Sequence, residues 1–136
     1  MRILLDTNLV VGLWLGDSKL GVLRLALADG SLPIVTSECL LAESREVLMR
    51  PAVRRDRGYS HEEVEAFLLW CFGRATRCVD APTAPGMPLA PDPGDQFLWN
   101  LLMAEADLQL WTRDKRLLRD RAMRGRVRRP PGDGVG

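Results

Sequence analysis

Four acidic residues stand where a parallel α/β chain gathers its chemistry. Asp6 directly follows the apolar run Ile3-Leu4-Leu5, and Glu43 lies in the first half of a helical stretch. Asp95 starts another helix after a Pro-rich loop, and Asp114 stands just past the run Leu108 to Thr112. Carboxylates brought together repel one another, by roughly 4 kcal/mol for a pair about 4 Å apart at an effective dielectric near 20. A fold tolerates this by raising some pKa values or by binding a cation. Oxygen ligands with open water positions suit Mg²⁺ or Mn²⁺. Such an ion can hold a phosphodiester, generate hydroxide from water and stabilise the leaving oxygen. Each acid also has an ordinary reading. Asp6 can be a polar strand end, Glu43 a solvated helix residue, Asp95 a charge complementing a helix dipole and Asp114 a turn residue. Their joint placement near one sheet edge favours a common site. His61, the single histidine, opens a helix away from all four, which argues against histidine acid–base chemistry.

The elements that must position these acids follow from periodicity and caps. Ile3 to Leu5 reads as a buried parallel strand ending in Asp6-Thr7-Asn8. Leu9 to Leu15 can open a helix, and Asp17-Ser18 can cap a second one running to about Asp29. Leu20, Leu23 and Leu27 share one face of that helix, and Gly30 is its stop. Leu32 to Val35 is a second strand. Ser37 caps a helix from Glu38 to Met49 that Pro51 ends. Ser60 caps the next, with Glu63 in the capping-box position and Val64, Phe67, Leu68 and Phe72 facing inward. Arg77-Cys78-Val79 reads as a third strand, and the Pro- and Gly-rich stretch Ala81 to Pro93 as an irregular loop. Gly94-Asp95 begins a helix through Phe97, Leu98, Leu101, Leu102 and Ala106. Leu108 to Thr112 is a fourth strand, Lys115 to Met123 a final helix, and Val127 part of a last short edge strand. Strands alternating with helices predict an α/β layer around a parallel sheet with right-handed crossovers.

The 136 residues suit one domain, and an apolar share of 46% against 27% charged excludes a disordered chain. The expected domain is 1–124, followed by a basic, Pro- and Gly-rich tail over 125–136 that frays. A net charge of +1 gives no overall polycation. A basic block nevertheless runs from Arg113 to Arg129, opposed only by Asp114 and Asp120. It reads either as an RNA-phosphate surface or as a solvated helix face. Three cysteines without CxxC spacing argue against a disulfide framework or a zinc cage. Cys39 and Cys71 read as core residues in a reducing, cytoplasmic setting. Trp70 and Trp99 read as core or interface rather than as base-stacking platforms. No secretory leader and no apolar run of membrane-spanning length is visible.

Four segments in order resemble the PIN-domain family and, more narrowly, the VapC-like toxin components of bacterial toxin–antitoxin pairs. They are Leu5-Asp6-Thr7-Asn8, then Thr36 to Glu43 continuing through Val47 to Pro51, then Asp92 to Leu98, and finally Leu110 to Leu118. The resemblance covers about residues 2 to 120. It implies a three-layer α/β/α sandwich with a central parallel sheet of four to five strands. It also implies Mg²⁺ or Mn²⁺ held by Asp6, Asp95 and Asp114, with Glu43 binding metal or positioning the attacking water. Asn8 and Thr112 would orient the carboxylates. Asp92 competes with Asp95 for the third acidic position. Asp95 is preferred because Phe97-Leu98 and Leu101-Leu102 follow it in helical phase. The implied activity is endonucleolytic cleavage of RNA by metal-activated water, with Arg113, Lys115 and Arg116 as candidate RNA contacts. The implied partners are RNA, a small antitoxin that covers the site and a second copy of the chain. Two departures stand out. Arg116 occupies a place where the family often has an acid, and Gly125 to Gly136 lacks an apolar strand and closing helix. A catalytically silent binding module is the alternative. A phosphatase with an Asp nucleophile would need an acid where Asn8 stands.

Overall fold

The computed structural model describes residues 1–55 and 58–133. Its elements in chain order are β1 (Arg2–Leu5), α1 (Thr7–Trp14), α2 (Gly21–Asp29), β2 (Ile34–Thr36), α3 (Glu38–Leu48), α4 (Pro51–Arg54) and α5 (His61–Phe72). There follow β3 (Thr76–Arg77), α6 (Gln96–Ala104), β4 (Leu108–Trp111), α7 (Lys115–Leu118) and β5 (Val127–Arg128). All five strands are parallel, in the order β3-β2-β1-β4-β5. Leu4 pairs with Val35 on one side and Leu110 on the other, which centres β1 in the sheet. Ile3, Leu4 and Leu5 are buried, as an unbroken apolar run at the middle of a two-faced sheet must be.

The chain moves from β1 to β3 in one direction and then jumps back to β4 and β5. With right-handed crossovers, the helices before β3 cover one face, and α6 and α7 cover the other. On the first face α1 packs on α3, and α3 on α5; on the second α6 lies against β4. Trp99 on α6 is completely buried, together with Leu98, Leu101 and Leu102. This is the α/β sheet fold expected from the alternating pattern.

Local departures have local causes. The expected helix over Lys115 to Met123 is two pieces, α7 and a 3₁₀ turn at Arg121–Met123. Asp120 separates them because its carboxylate accepts the Ala122 N–H and starts a new turn. Asp17 caps a 3₁₀ turn, Ser18–Leu20, ahead of α2. Pro51 opens α4 from its first turn, where a missing N–H costs nothing. The third strand is displaced to Thr76–Arg77, though the Cys78 N–H still bonds the Thr36 carbonyl. Cys39 is exposed, not core: its N–H bonds Asp80 on the open side of α3, whereas Cys71 and Cys78 are buried.

The sheet continues past residue 124. Trp111 pairs with Arg128. Arg126 donates to the carbonyls of Leu102, Glu105 and Leu108, satisfying the open end of α6. Residues 134–136 of the expected tail lie outside the described residues.

Candidate active site

The strand order reverses its direction of growth at β1, so the crevice for a ligand lies at the carboxyl ends of β1 and β4. Asp6 follows β1 at once, its N–H bonded to the Trp111 carbonyl, so strand pairing carries it to the mouth of that crevice. Thr112 and Asp114 follow β4. Ser37 caps α3 by accepting the Leu40 N–H, which sets the phase that brings Glu43 to the same side. Asp92 caps the 3₁₀ turn Pro93–Asp95 by accepting the Gly94 N–H, and that turn delivers Asp95. The result is one cleft of about 260 Å³, lined by Asp6, Glu43, Asp92, Asp95, Asp114 and two cations, Arg50 and Arg116. Thr7, Asn8, Val47 and Gly94 complete its wall. All four acids singled out in the sequence therefore reach one cleft, as does Asp92.

A short relay fixes one side of it. Thr112, fully buried, donates from Oγ1 to Asp6 Oδ2 at 2.6 Å and accepts the Asp114 N–H at 3.0 Å. Asp114 in turn caps α7, accepting the Arg116 N–H at 2.9 Å. Thr112 thus holds one oxygen of the Asp6 carboxylate by a hydrogen bond. Asn8 is exposed and makes no side-chain hydrogen bond among the described residues. Arg116 reaches Asp114 Oδ2 at 3.4 Å and Asp92 Oδ2 at 4.0 Å. Arg113 turns elsewhere, pairing with Asp17 at 2.6 Å, and neither it nor Lys115 lines the cleft.

Three of the carboxyls hold their protons more tightly than usual. Asp6 is 5% exposed. Burial pushes its carboxyl above the usual range, the Thr112 hydroxyl and the amides of Thr7 and Asn8 pull it back, and the Asp114 charge adds to the rise. Burial, then the charges of Asp95 and Asp6, push Glu43 up to about 7. Burial, then the charges of Asp6, Asp92 and Asp114, push Asp95 up to about 6. Carboxylates held in this way are the ones a cation would stabilise.

A donor set made only of carboxylate oxygens fits a hard divalent ion such as Mg²⁺ or Mn²⁺ and excludes a zinc cage. The side chains as placed do not converge on a point. Among the described residues no three acidic, His or Cys side chains stand close enough to share an ion. Asp114 and Asp92 stand instead beside Arg116.

Thr7, Val47, Arg50 and Gly94 are the cleft residues that the sequence did not single out. Arg50 had a signal: Glu43, Val47 and Arg50 are spaced four and three apart, one face of α3 and its end. A second cavity of about 250 Å³ between α2 and α5, lined by Leu27, Ile34, Leu69, Trp70, Cys71 and Arg74, holds no acid.

Against known sequences, a profile of the family described as PIN domain matches residues 2–116. No curated protein and no solved structure matches the chain.

Proposed function

The chain belongs to the PIN-domain family, a family of nucleases in general, and from that premise we propose that it is a Mg²⁺- or Mn²⁺-dependent endoribonuclease. The observation that carries the reading is the meeting of Asp6, Glu43, Asp95 and Asp114, from four separate parts of the chain, in one cleft at the carboxyl edge of the sheet. Asp6, Asp95 and Glu43 would hold the ion, with Asp114 beside them. A divalent ion bound there supplies a Lewis acid that neutralises phosphate charge and lowers the pKa of water. Thr112 keeps the Asp6 carboxylate aimed at the cleft. Glu43, half-buried on the same cleft, would bind the ion directly or hold the attacking water. Arg50 and Arg116 attract the polyanionic substrate.

The reading extends to a toxin held in check by a small antitoxin, acting in the cytoplasm, with a second copy of the chain as a further partner. Support for a protein partner comes from Leu25, Leu69 and Trp70, which are exposed apolar side chains on α2 and α5. No described helix is long and apolar enough to cross a membrane. The carboxylates' lack of convergence favours a second reading, a PIN-like module that binds RNA or protein without cutting.

One experiment separates the two. Purified protein is incubated with labelled single-stranded and hairpin RNA in Mn²⁺, in Mg²⁺ and in chelator, beside Asp6→Asn. Ribonuclease action requires ion-dependent cuts that vanish in the folded variant. RNA bound and left intact by the native chain establishes the silent module instead.

A further inference from the structure

The five carboxylates of the cleft fall into two groups. Asp92 and Asp114 share the guanidinium of Arg116. Asp6, Glu43 and Asp95 have no ion-pair partner among the described residues. Asp114 also accepts a contact at each of its oxygens. One oxygen accepts the Arg116 backbone N–H at 2.9 Å, and the other faces the Arg116 guanidinium at 3.4 Å. Its own N–H is bound by Thr112. An ion on Asp114 would compete with the helix cap and with Arg116 for the carboxylate's remaining lone pairs.

Arg116 is differently placed. Its side chain is 60% exposed while the Asp114 side chain is 16% exposed, so the cation projects from a partly buried anchor into the open cleft. A guanidinium carries five N–H donors in a planar fork, and Asp92 at Nη1 and Asp114 at Nη2 take no more than one each, which leaves the rest available. That fork matches two phosphate oxygens. Two anchors from two different loops also restrict its rotamers, which lowers the entropy lost on binding. Arg50, by contrast, is tied only to Glu46, which is itself 70% exposed.

We propose that Arg116 is the phosphate-binding side chain of the cleft, and that Asp114 is the residue that positions it rather than a ligand of the ion. This rests on the ribonuclease reading of the same cleft. It divides the site into an ion-holding trio, Asp6, Glu43 and Asp95, and a substrate-holding pair, Asp114 and Arg116. The ligand recognised is a phosphodiester of single-stranded RNA, gripped by charge and by paired hydrogen bonds.

Two readouts test it. Mn²⁺ affinity is measured by calorimetry for the native chain, Asp95→Asn and Asp114→Asn; asparagine is itself a good helix cap, so α7 keeps its start. Binding of a labelled RNA in chelator, across a salt series, is measured for the native chain, Arg116→Ala and Arg116→Lys. The expected result is that Asp95→Asn loses about 10- to 100-fold in Mn²⁺ affinity, whereas Asp114→Asn stays within about threefold of native. Arg116→Ala is expected to bind RNA about tenfold more weakly, with the slope of log affinity against log salt reduced by about 0.7, one single-strand phosphate. Arg116→Lys should recover the slope but not the affinity. An Asp114→Asn loss of Mn²⁺ affinity matching that of Asp95→Asn overturns the assignment, and so does native-like RNA binding by Arg116→Ala. A native chain that binds no Mn²⁺ removes the ribonuclease reading itself, and the salt slope then still decides the role of Arg116.

Discussion

Replacing Thr112 by valine removes one hydroxyl and changes almost nothing else, because the side chain is fully buried and valine has its shape. Two partners lose their contact: the Asp6 carboxylate, 2.6 Å away, and the Asp114 N–H, 3.0 Å away. A hydrogen bond to a charged group contributes about 1.5–3 kcal/mol, and a neutral one about 1 kcal/mol. Thr112→Val should therefore destabilise the ion-free protein by about 3 kcal/mol when Asp6 is ionised. The penalty has a definite pH dependence. Burial already raises the Asp6 carboxyl above its usual range and the Thr112 hydroxyl lowers it; deleting the hydroxyl raises it further. Where Asp6 is protonated in both folded proteins, the charged part of the loss disappears. The penalty must shrink toward about 1 kcal/mol as the solution is acidified and grow as it is made alkaline. Urea unfolding of native protein and variant, at about pH 5 and about pH 8, gives the difference from the midpoints if the slopes agree. Thr112→Ser keeps the hydroxyl and should lose less than half as much. A difference below about 0.5 kcal/mol at the alkaline condition, or a penalty that is larger in acid, would refute the relay.

Glu43 and Asp95, raised to about 7 and about 6, bind protons more tightly folded than unfolded. Their ionisation costs nothing below their unfolded pKa values and its full amount above about 7, so ion-free stability should fall as pH rises across that window. The fall should be about 1–2 kcal/mol after allowance for solvent screening of half-exposed groups, and saturating Mn²⁺ should abolish it in denaturant titrations. Asp6→Asn removes a buried charge, so the ion-free variant should be about 1 kcal/mol more stable than native at neutral pH while gaining nothing from Mn²⁺. A variant that melts lower than native would contradict that expectation. Arg126→Ala leaves three carbonyls without their donor and should cost about 2–3 kcal/mol in thermal or urea unfolding. A cost near zero would mean that β5 adds nothing to the sheet.

The parts of the fold legible in the sequence are those set by neighbours along the chain. The caps at Ser37 and Ser60, the stop at Gly30 and the buried run before Asp6 are short-range rules, and each appears where it was expected. The elements misjudged were decided by other contacts. Asp120 splits a helix that periodicity alone would continue. Thr76 pairs with Val35, a choice that sheet register makes and the local sequence does not show. Cys39 looked apolar among its neighbours, but its place on α3 turns it outward toward Asp80. In the cleft, residue types and strand ends disclosed the acids. The pairing of Asp114 and Asp92 with Arg116 was hidden because it joins two distant loops and reverses what an acidic position would be taken to do. Arg113, directly after Thr112, was a candidate RNA contact from sequence, but it runs beside Gly12 to pair with Asp17, a partner 96 residues away that the local sequence does not show.

Anomalous scattering from crystals grown in Mn²⁺ tests whether these carboxylates form a metal centre. A single strong peak in the cleft, bonded to Asp6 and Asp95 oxygens at about 2.1 Å with Glu43 on the ion or its water, is the result expected. A cleft empty of manganese at full occupancy elsewhere, or an ion held by surface carboxylates away from Asp6, would contradict it.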